Sequence, residues 1–180
     1  MFNADRHNPS DCRFEVKLGS GVEWSIHCLA LLGALPAGRS LKLEKLAEFH
    51  NLKVAYLRKH FQALSKAALV STVTGPQGGY RLGRSADKIS LLDIYIALEG
   101  DDPCFRCTEI RQDGPCAIPS LDQPGYSVPC NIAVSMWKAE DAWRKELAKV
   151  SIADVLGSTA KQISADKKER MTQWLSQALA

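Results

Sequence analysis

Residues 69–84 constrain the fold more than any other stretch. Leu69-Val-Ser-Thr-Val-Thr74 is rich in β-branched residues, Gly75-Pro-Gln-Gly-Gly79 is a glycine turn, and Tyr80-Arg-Leu-Gly-Arg84 is extended again. Strand, tight turn and strand make a β-hairpin. Three helical periodicities stand directly in front of it. Over Ser20 to Leu35 the residues Val22, Ile26, Leu29, Ala30 and Gly33 recur at helical spacing, with Ser20 as the candidate cap. After the Pro36-Ala-Gly38 turn, Leu41 to His50 predicts a short helix with Leu43, Leu46 and Ala47 inward and Asn51 as its stop. Val54 to Ala68 predicts a third helix, apolar along Leu57, Phe61, Leu64 and Ala68 and basic on its other face through Lys53, Arg58, Lys59, His60 and Lys66. Two short helices joined by a tight turn, the second basic and followed by a hairpin, predict a winged helix-turn-helix.

The rest of the chain divides around that unit. Residues 1–15 are polar and aperiodic and read as a flexible arm, so the DNA-binding unit is expected over residues 16–100, closed by an apolar helix from Ile89 to Leu98 that Gly100 ends. Over residues 101–130 regularity fails, and prolines, glycines and cysteines accumulate. A loop this long in a compact chain is usually functional. Residues 131–180 resume as a long helix, Asn131 to Val150, of roughly 30 Å at 1.5 Å per residue. Its stripe of Ile132, Met136, Ala139, Trp143 and Val150 is too apolar for a lone exposed helix and predicts pairing with a second copy. A last helix is expected from Ala165 to Leu179, in a tail beginning at Ser158. The predicted class is mainly α with a small β-hairpin wing, a winged helix-turn-helix joined to a long dimerisation helix.

Composition narrows the function. With 46% hydrophobic and 24% charged residues the chain is globular, and a net charge of +3 permits nucleic-acid binding without arguing for it. No apolar run reaches the roughly 18 to 20 residues of a membrane span, and the N-terminal residues carry no signal-peptide core, so a cytoplasmic location is expected. In that reducing compartment six cysteines point to metal ligands or redox thiols rather than a disulfide framework. No Ser-His-Asp set, His-Glu-x-x-His or phosphate-cradling loop is visible, which argues against an enzyme.

A groove reader needs donors on its helix and cations beside its wing. Lys53, Tyr56, Arg58 and Lys59 occupy the first turns of the third helix, and Gly78, Gly79, Tyr80 and Arg81 form the wing, with Arg84 beyond. The plainer readings are a solvated helix face for Lys53, Arg58 and Lys59 and a tyrosine-packed turn for Tyr80.

Cys104-x2-Cys107-x8-Cys116-x13-Cys130 lies in or beside the irregular loop, apart from Cys12 in the arm and Cys28 on an apolar helix. Cys130 opens the long helix, where free amides and the helix dipole favour a thiolate. Cys28 reads as a small core residue. Cys104 with Cys107 fits a redox dithiol, a disulfide or half of a zinc site. Glu23 and His27 are spaced i, i+4 and share one helix face.

Leu46-Ala47, Tyr56-Leu57, Leu64, Ala68-Leu-Val70 and Gly75-Pro-Gln-Gly-Gly-Tyr-Arg-Leu82, followed by Ile94 and Glu99-Gly100, resemble the IscR/NsrR (Rrf-two) family of winged helix-turn-helix regulators over about residues 16–157. Gly21-Val-Glu-Trp24 with His27, and Cys107-Thr-Glu-Ile-Arg-Gln112, are most similar to its RsrR-type members. The resemblance implies a homodimer, a double-stranded DNA operator with two-fold symmetry, and an iron–sulfur cluster, [2Fe-2S] in type, that senses redox or nitrosative stress. It implies Cys107, Cys116 and Cys130 as cluster ligands, completed by Glu23 and His27 from the partner chain. Two positions depart from IscR: Arg58 stands in place of a glutamate used in sequence discrimination, and Ala133 in place of its histidine ligand. The alternative within the same fold is a metal-free thiol-switch repressor acting through Cys104, Cys107, Cys116 or Cys130.

Overall fold

The computed structural model describes residues 19–75, 78–115 and 128–179. The expected arm over residues 1–15, Cys12, Cys116, and Pro76 and Gln77 at the wing tip lie outside the described residues. The helices are α1 (Ser20–Gly33), α2 (Leu43–His50), α3 (Val54–Lys66), α4 (Leu91–Glu99), α5 (Asn131–Lys149), α6 (Ile152–Gln162) and α7 (Ala165–Ala178), and the two antiparallel strands β1 (Val70–Val73) and β2 (Gly79–Leu82) stand between α3 and α4. Short 3-10 turns occupy Ala86–Lys88 and Ile110–Gln112.

Helix α1 is the centre of the fold. It buries Gly21, Val22, Ser25, Cys28, Leu29, Leu31 and Leu32, and packs against α2, α3, α4, α6 and β2. That burial is broader than the one-sided stripe expected from Val22, Ile26, Leu29, Ala30 and Gly33, because neighbours close on it from several directions. Ser20 is not the cap: it is the first helical residue, Gly19 takes the N-cap position and no side chain caps the end. Cys28 is fully buried, as expected, and burial pushes its thiol up to about 12, which keeps it protonated.

Helix α2 turns its Leu43, Leu46 and Ala47 inward and stops at Asn51, whose left-handed φ of 53° an asparagine tolerates. Helix α3 buries Leu57, Phe61 and Leu64 but ends two residues before Ala68. Ala68 takes a left-handed φ of 55° and is exposed, because the chain must reverse there for Leu69 to bond back to Leu64 and enter β1. His60 is not on the open basic face either. It is half-buried, and a Cβ on Gly21 would lie 2.4 Å from its ring, so glycine is what allows α1 and α3 to approach.

The strands pair Val70 with Leu82 through Val73 with Gly79. Leu41 adds a third rung: its amide donates to the Tyr80 carbonyl at 2.9 Å and its carbonyl accepts from the Tyr80 amide at 2.8 Å. A Cβ on Gly79 would sit 2.5 Å from Leu41, so this glycine answers an internal demand of the sheet.

Helices α4 and α6 begin side by side. Ser90 and Ser151 form an isolated antiparallel bridge, and each closes a capping box with its own aspartate, Asp93 and Asp154. This corrects the sequence reading of the tail: α6 starts at Ile152, ahead of Ser158, and its Leu156 fits against Gly33 of α1. Helix α7 follows as expected and returns to α2. Trp174 packs edge-on to Phe49 at 4.8 Å and its indole N–H donates to Glu48 at 3.2 Å, while Arg39 donates to the Leu179 carbonyl. Among the described residues no helix is long and apolar enough to cross a membrane. Replacing the half-buried ring by Trp174→Ala is expected to lower stability by about 1–3 kcal/mol, read as a shift of the urea midpoint with an unchanged slope.

Candidate DNA-reading surface and cysteine loop

Lys53, Tyr56, Arg58 and Lys59 all stand exposed at the start of α3, Lys53 at its N-cap and Tyr56 58% accessible despite its large ring. Buried Leu57 and Phe61 fix the opposite face, so the basic stretch is presented outward by packing rather than by its own charge. Arg58 lies 3.7 Å from Glu44 of α2, with both side chains mostly exposed, a weak pair that a phosphate or base edge can displace. In the wing, Arg81 donates to Ser71 at 3.2 Å across the hairpin, and Arg84 donates to the Ala67 carbonyl at 3.1 Å, tying the hairpin to the end of α3. Gly78 closes the turn tightly, since a Cβ there would meet the Val73 carbonyl oxygen at 2.3 Å. Tyr80 packs its ring edge-on to Phe61 at 4.8 Å, the anchoring role that sequence left open beside DNA contact.

The loop after α4 is fastened to α5 by a polar knot that sequence reading missed. Arg144 donates to Asp101 at 2.6 Å and to Glu140 at 3.0 Å, and the Glu140 carboxylate accepts the Cys104 amide at 3.0 Å. That amide, with Arg144 behind it, holds the Glu140 carboxyl below the usual carboxylate range. Tyr95 of α4 meets the Cys104 thiol at 3.3 Å and packs edge-on to Trp143 of α5 at 4.8 Å. The Cys104 bond and burial push the Tyr95 hydroxyl up to about 12. The only local signal was the i, i+4 spacing of Glu140 and Arg144.

Cys107 and Cys130 are both half-buried, and Cys130 occupies the N-cap position of α5 as expected. The Cys107 thiol lies 3.7 Å from Glu109, which accepts from Arg111 at 2.6 Å, and Arg111 also donates to the Val128 carbonyl at 2.8 Å, two residues before Cys130. Glu23 and His27 stand exposed on α1. His27 faces His50 with ring centres 5.6 Å apart, and burial lowers the His50 pKa. Among the described residues no three His, Cys, Asp or Glu side chains group as a metal site, so the proposed ligands are not assembled by this part of one chain alone.

The family profile described as Rrf2, iron-dependent transcriptional regulator, matches residues 18–158, most of the chain. The chain belongs to the Rrf2 family of transcriptional regulators. It is 29% identical over 144 residues to the HTH-type transcriptional regulator YffB of Lactococcus lactis subsp. lactis (strain IL1403), covering 80% of this chain and 89% of that one. An HTH-type regulator of Aquifex aeolicus (strain VF5) is 36% identical over 105 residues, covering 54% of this chain and 71% of the relative. Solved structures share the fold: CymR (YrzC), the global cysteine regulator of B. subtilis, at a TM-score of 0.63 and 23% identity over 80% of this chain and 98% of its own, and T. potens IscR at 0.62 and 22% over 83% and 93%. Helix α7 lies beyond the part that the Rrf2 profile matches.

Two expectations follow. Glu140→Gln should lower the melting temperature at neutral pH, and the deficit should shrink as pH falls below the usual carboxylate range. A carboxylate held low contributes its stability above that range and loses it as acid titrates the native group. A melting series from neutral to acid pH checks this. On the reading face, Lys59→Ala should weaken binding to all duplexes and reduce the salt slope by about one, whereas Arg58→Ala should also relax base preference. Competition binding against scrambled duplex, at several salt concentrations, separates the two.

Proposed function

We propose that this Rrf2-family regulator is a homodimer that reads a two-fold symmetric DNA operator through α3 and its wing, and senses redox or nitrosative stress through an iron–sulfur cluster, [2Fe-2S] in type, after the manner of the RsrR-type members. The proposed ligands are Cys107, Cys116 and Cys130 of the loop, with Glu23 and His27 from α1 of the second copy. The observation that carries the reading is that Arg111 links Glu109, the neighbour of Cys107, to the Val128 carbonyl near Cys130, within a family whose profile is described as iron-dependent.

The donor chemistry fits such a cluster. Soft thiols on irregular backbone accommodate cluster geometry, and Arg111 supplies compensating charge beside them. A bound cluster would supply a one-electron redox couple. The residues supply the rest: the thiols hold, Glu109 and Arg111 orient, and the α1 carboxylate and imidazole close the site from the other subunit. Exposure of Glu23 and His27 supports this, since α1 is covered on so much of its remaining surface. Helix α5 supports the dimer: of its 19 residues Ala133 is buried, while Ile132, Met136 and Trp137 are exposed, Ile132 at 70%. A second copy crossing α5 would cover them.

A second reading has its own observation. Cys104 is exposed and touches Tyr95, so oxidation of that thiol would disturb the junction of α4 and α5 without any metal. Anaerobically prepared protein decides between them. Iron and inorganic sulfide bound to the chain, lost in Cys130→Ala and kept in Cys12→Ala, are expected from the cluster. Metal-free protein whose operator binding responds fully to oxidant and reductant would establish the thiol switch instead.

A further inference from the structure

Arg111 joins two ends of the loop that the sequence holds apart. Its Nε donates to Glu109 at 2.6 Å and one of its terminal nitrogens donates to the Val128 carbonyl at 2.8 Å, a contact across 17 positions. Glu109 in turn stands 3.7 Å from the Cys107 thiol through its other carboxylate oxygen, and sits at a left-handed φ of 54° that a glutamate adopts only under constraint. The guanidinium and carboxylate are both about two-thirds covered, at 30% and 35% exposure, so this pair is better shielded than Lys145–Asp141 in α5 and Arg170–Asp166 in α7, though less so than Arg144–Glu140. Arg106, one residue before Cys107, makes the contrast: its pair with Asp102 is 74% and 81% exposed and reaches only four residues back.

We propose that Arg111 is a positioning residue which, through its planar fork on Glu109 and the Val128 carbonyl, draws Cys107 and Cys130 into one site and places a fixed positive charge against them. The inference rests on the reading of those two cysteines as ligands and deepens it. Two functions are combined in one side chain. The fork geometry makes the tether, since a guanidinium donates along two directions at once and an ammonium does not reproduce that pattern. The charge makes the field: the guanidinium offsets the Glu109 carboxylate beside Cys107, and without it that unpaired negative charge would oppose the site's more negatively charged state. In keeping with that geometry, the Glu109 bond leads the upward push on the Arg111 pKa.

The two functions separate by substitution. In full-length metal-free chain carrying Cys104→Ser and Cys116→Ser, dibromobimane is expected to bridge Cys107 to Cys130, located by peptide mass mapping. Arg111→Gln and Arg111→Lys should each cut the yield of that bridge several-fold, while Arg106→Gln leaves it at the parent level. In protein otherwise wild type and loaded with iron and sulfide anaerobically, Arg111→Gln should move the midpoint potential to a more negative value, and Arg111→Lys, which keeps the charge, should hold it near wild type. Absence of the bridge in the parent, or equal bridging in Arg111→Gln, overturns the tether. An unchanged potential in Arg111→Gln overturns the charge. If wild-type chain takes up no iron and sulfide, the cluster reading fails, and the bridging comparison still judges the tether.

Discussion

The burial of α1 is the constraint on which the described fold depends. A helix apolar on nearly all sides must be enclosed by other elements, and here α2, α3, β2, α4 and α6 all pack against it. The enclosure is close: a Cβ at Gly21 would strike the ring of His60 of α3, and one at Gly33 would press on the Leu156 side chain of α6 at 2.9 Å. Helix α3, the candidate DNA-reading helix, is therefore set by the same buried surface that seats α6. Its basic residues point outward because Leu57, Phe61 and Leu64 are committed inward. What α1 leaves open is small, and includes Glu23 and His27.

Helix α4 links the two halves. It packs against α1 and α3 and also against α5, and its Tyr95 touches both Cys104 in the loop and Trp143 in α5. Tyr95 thus moors the loop to α4, which abuts α3, and the Arg144, Glu140 and Asp101 knot moors it to α5. Arg144 is 18% exposed and Glu140 12%, so this knot sits in a region where a charge without its partner is costly. The packing of α4 against both α5 and α3 is the route by which the proposed chemistry at the cysteines would act on α3.

The C-terminal helix adds a separate restraint. Trp174 and Leu179 bring α7 back to α2 and to the turn before it, so the tail buttresses the first helix of the candidate reading motif. The Rrf2 profile match ends at residue 158, within α6, so this contact of α7 lies outside the matched part.

The sequence by itself determined what local chemistry determines. Period-2 and period-3.6 patterning placed the hairpin and most helices, Asn51 and Gly100 marked helix ends, and the setting of Cys28 in an apolar helix foretold its burial. The two faces of α3 were legible for the same reason, except that His60 was claimed from the basic face by the approach of α1 and Ala68 from the apolar face by the reversal into β1. Helix α6 escaped notice because the stretch from 151 to 158 is short and contains Gly157, and its start is secured by a bridge to Ser90 that no local pattern announces. The candidate site divides along the same line: the cysteines could be counted in advance, whereas Arg111 on Val128, Arg144 on Asp101 and Trp174 on Glu48 join positions 17, 43 and 126 residues apart. Residue type and spacing specify what a side chain can bond. Which distant partner it meets was decided only when the burial of α1 brought those segments together.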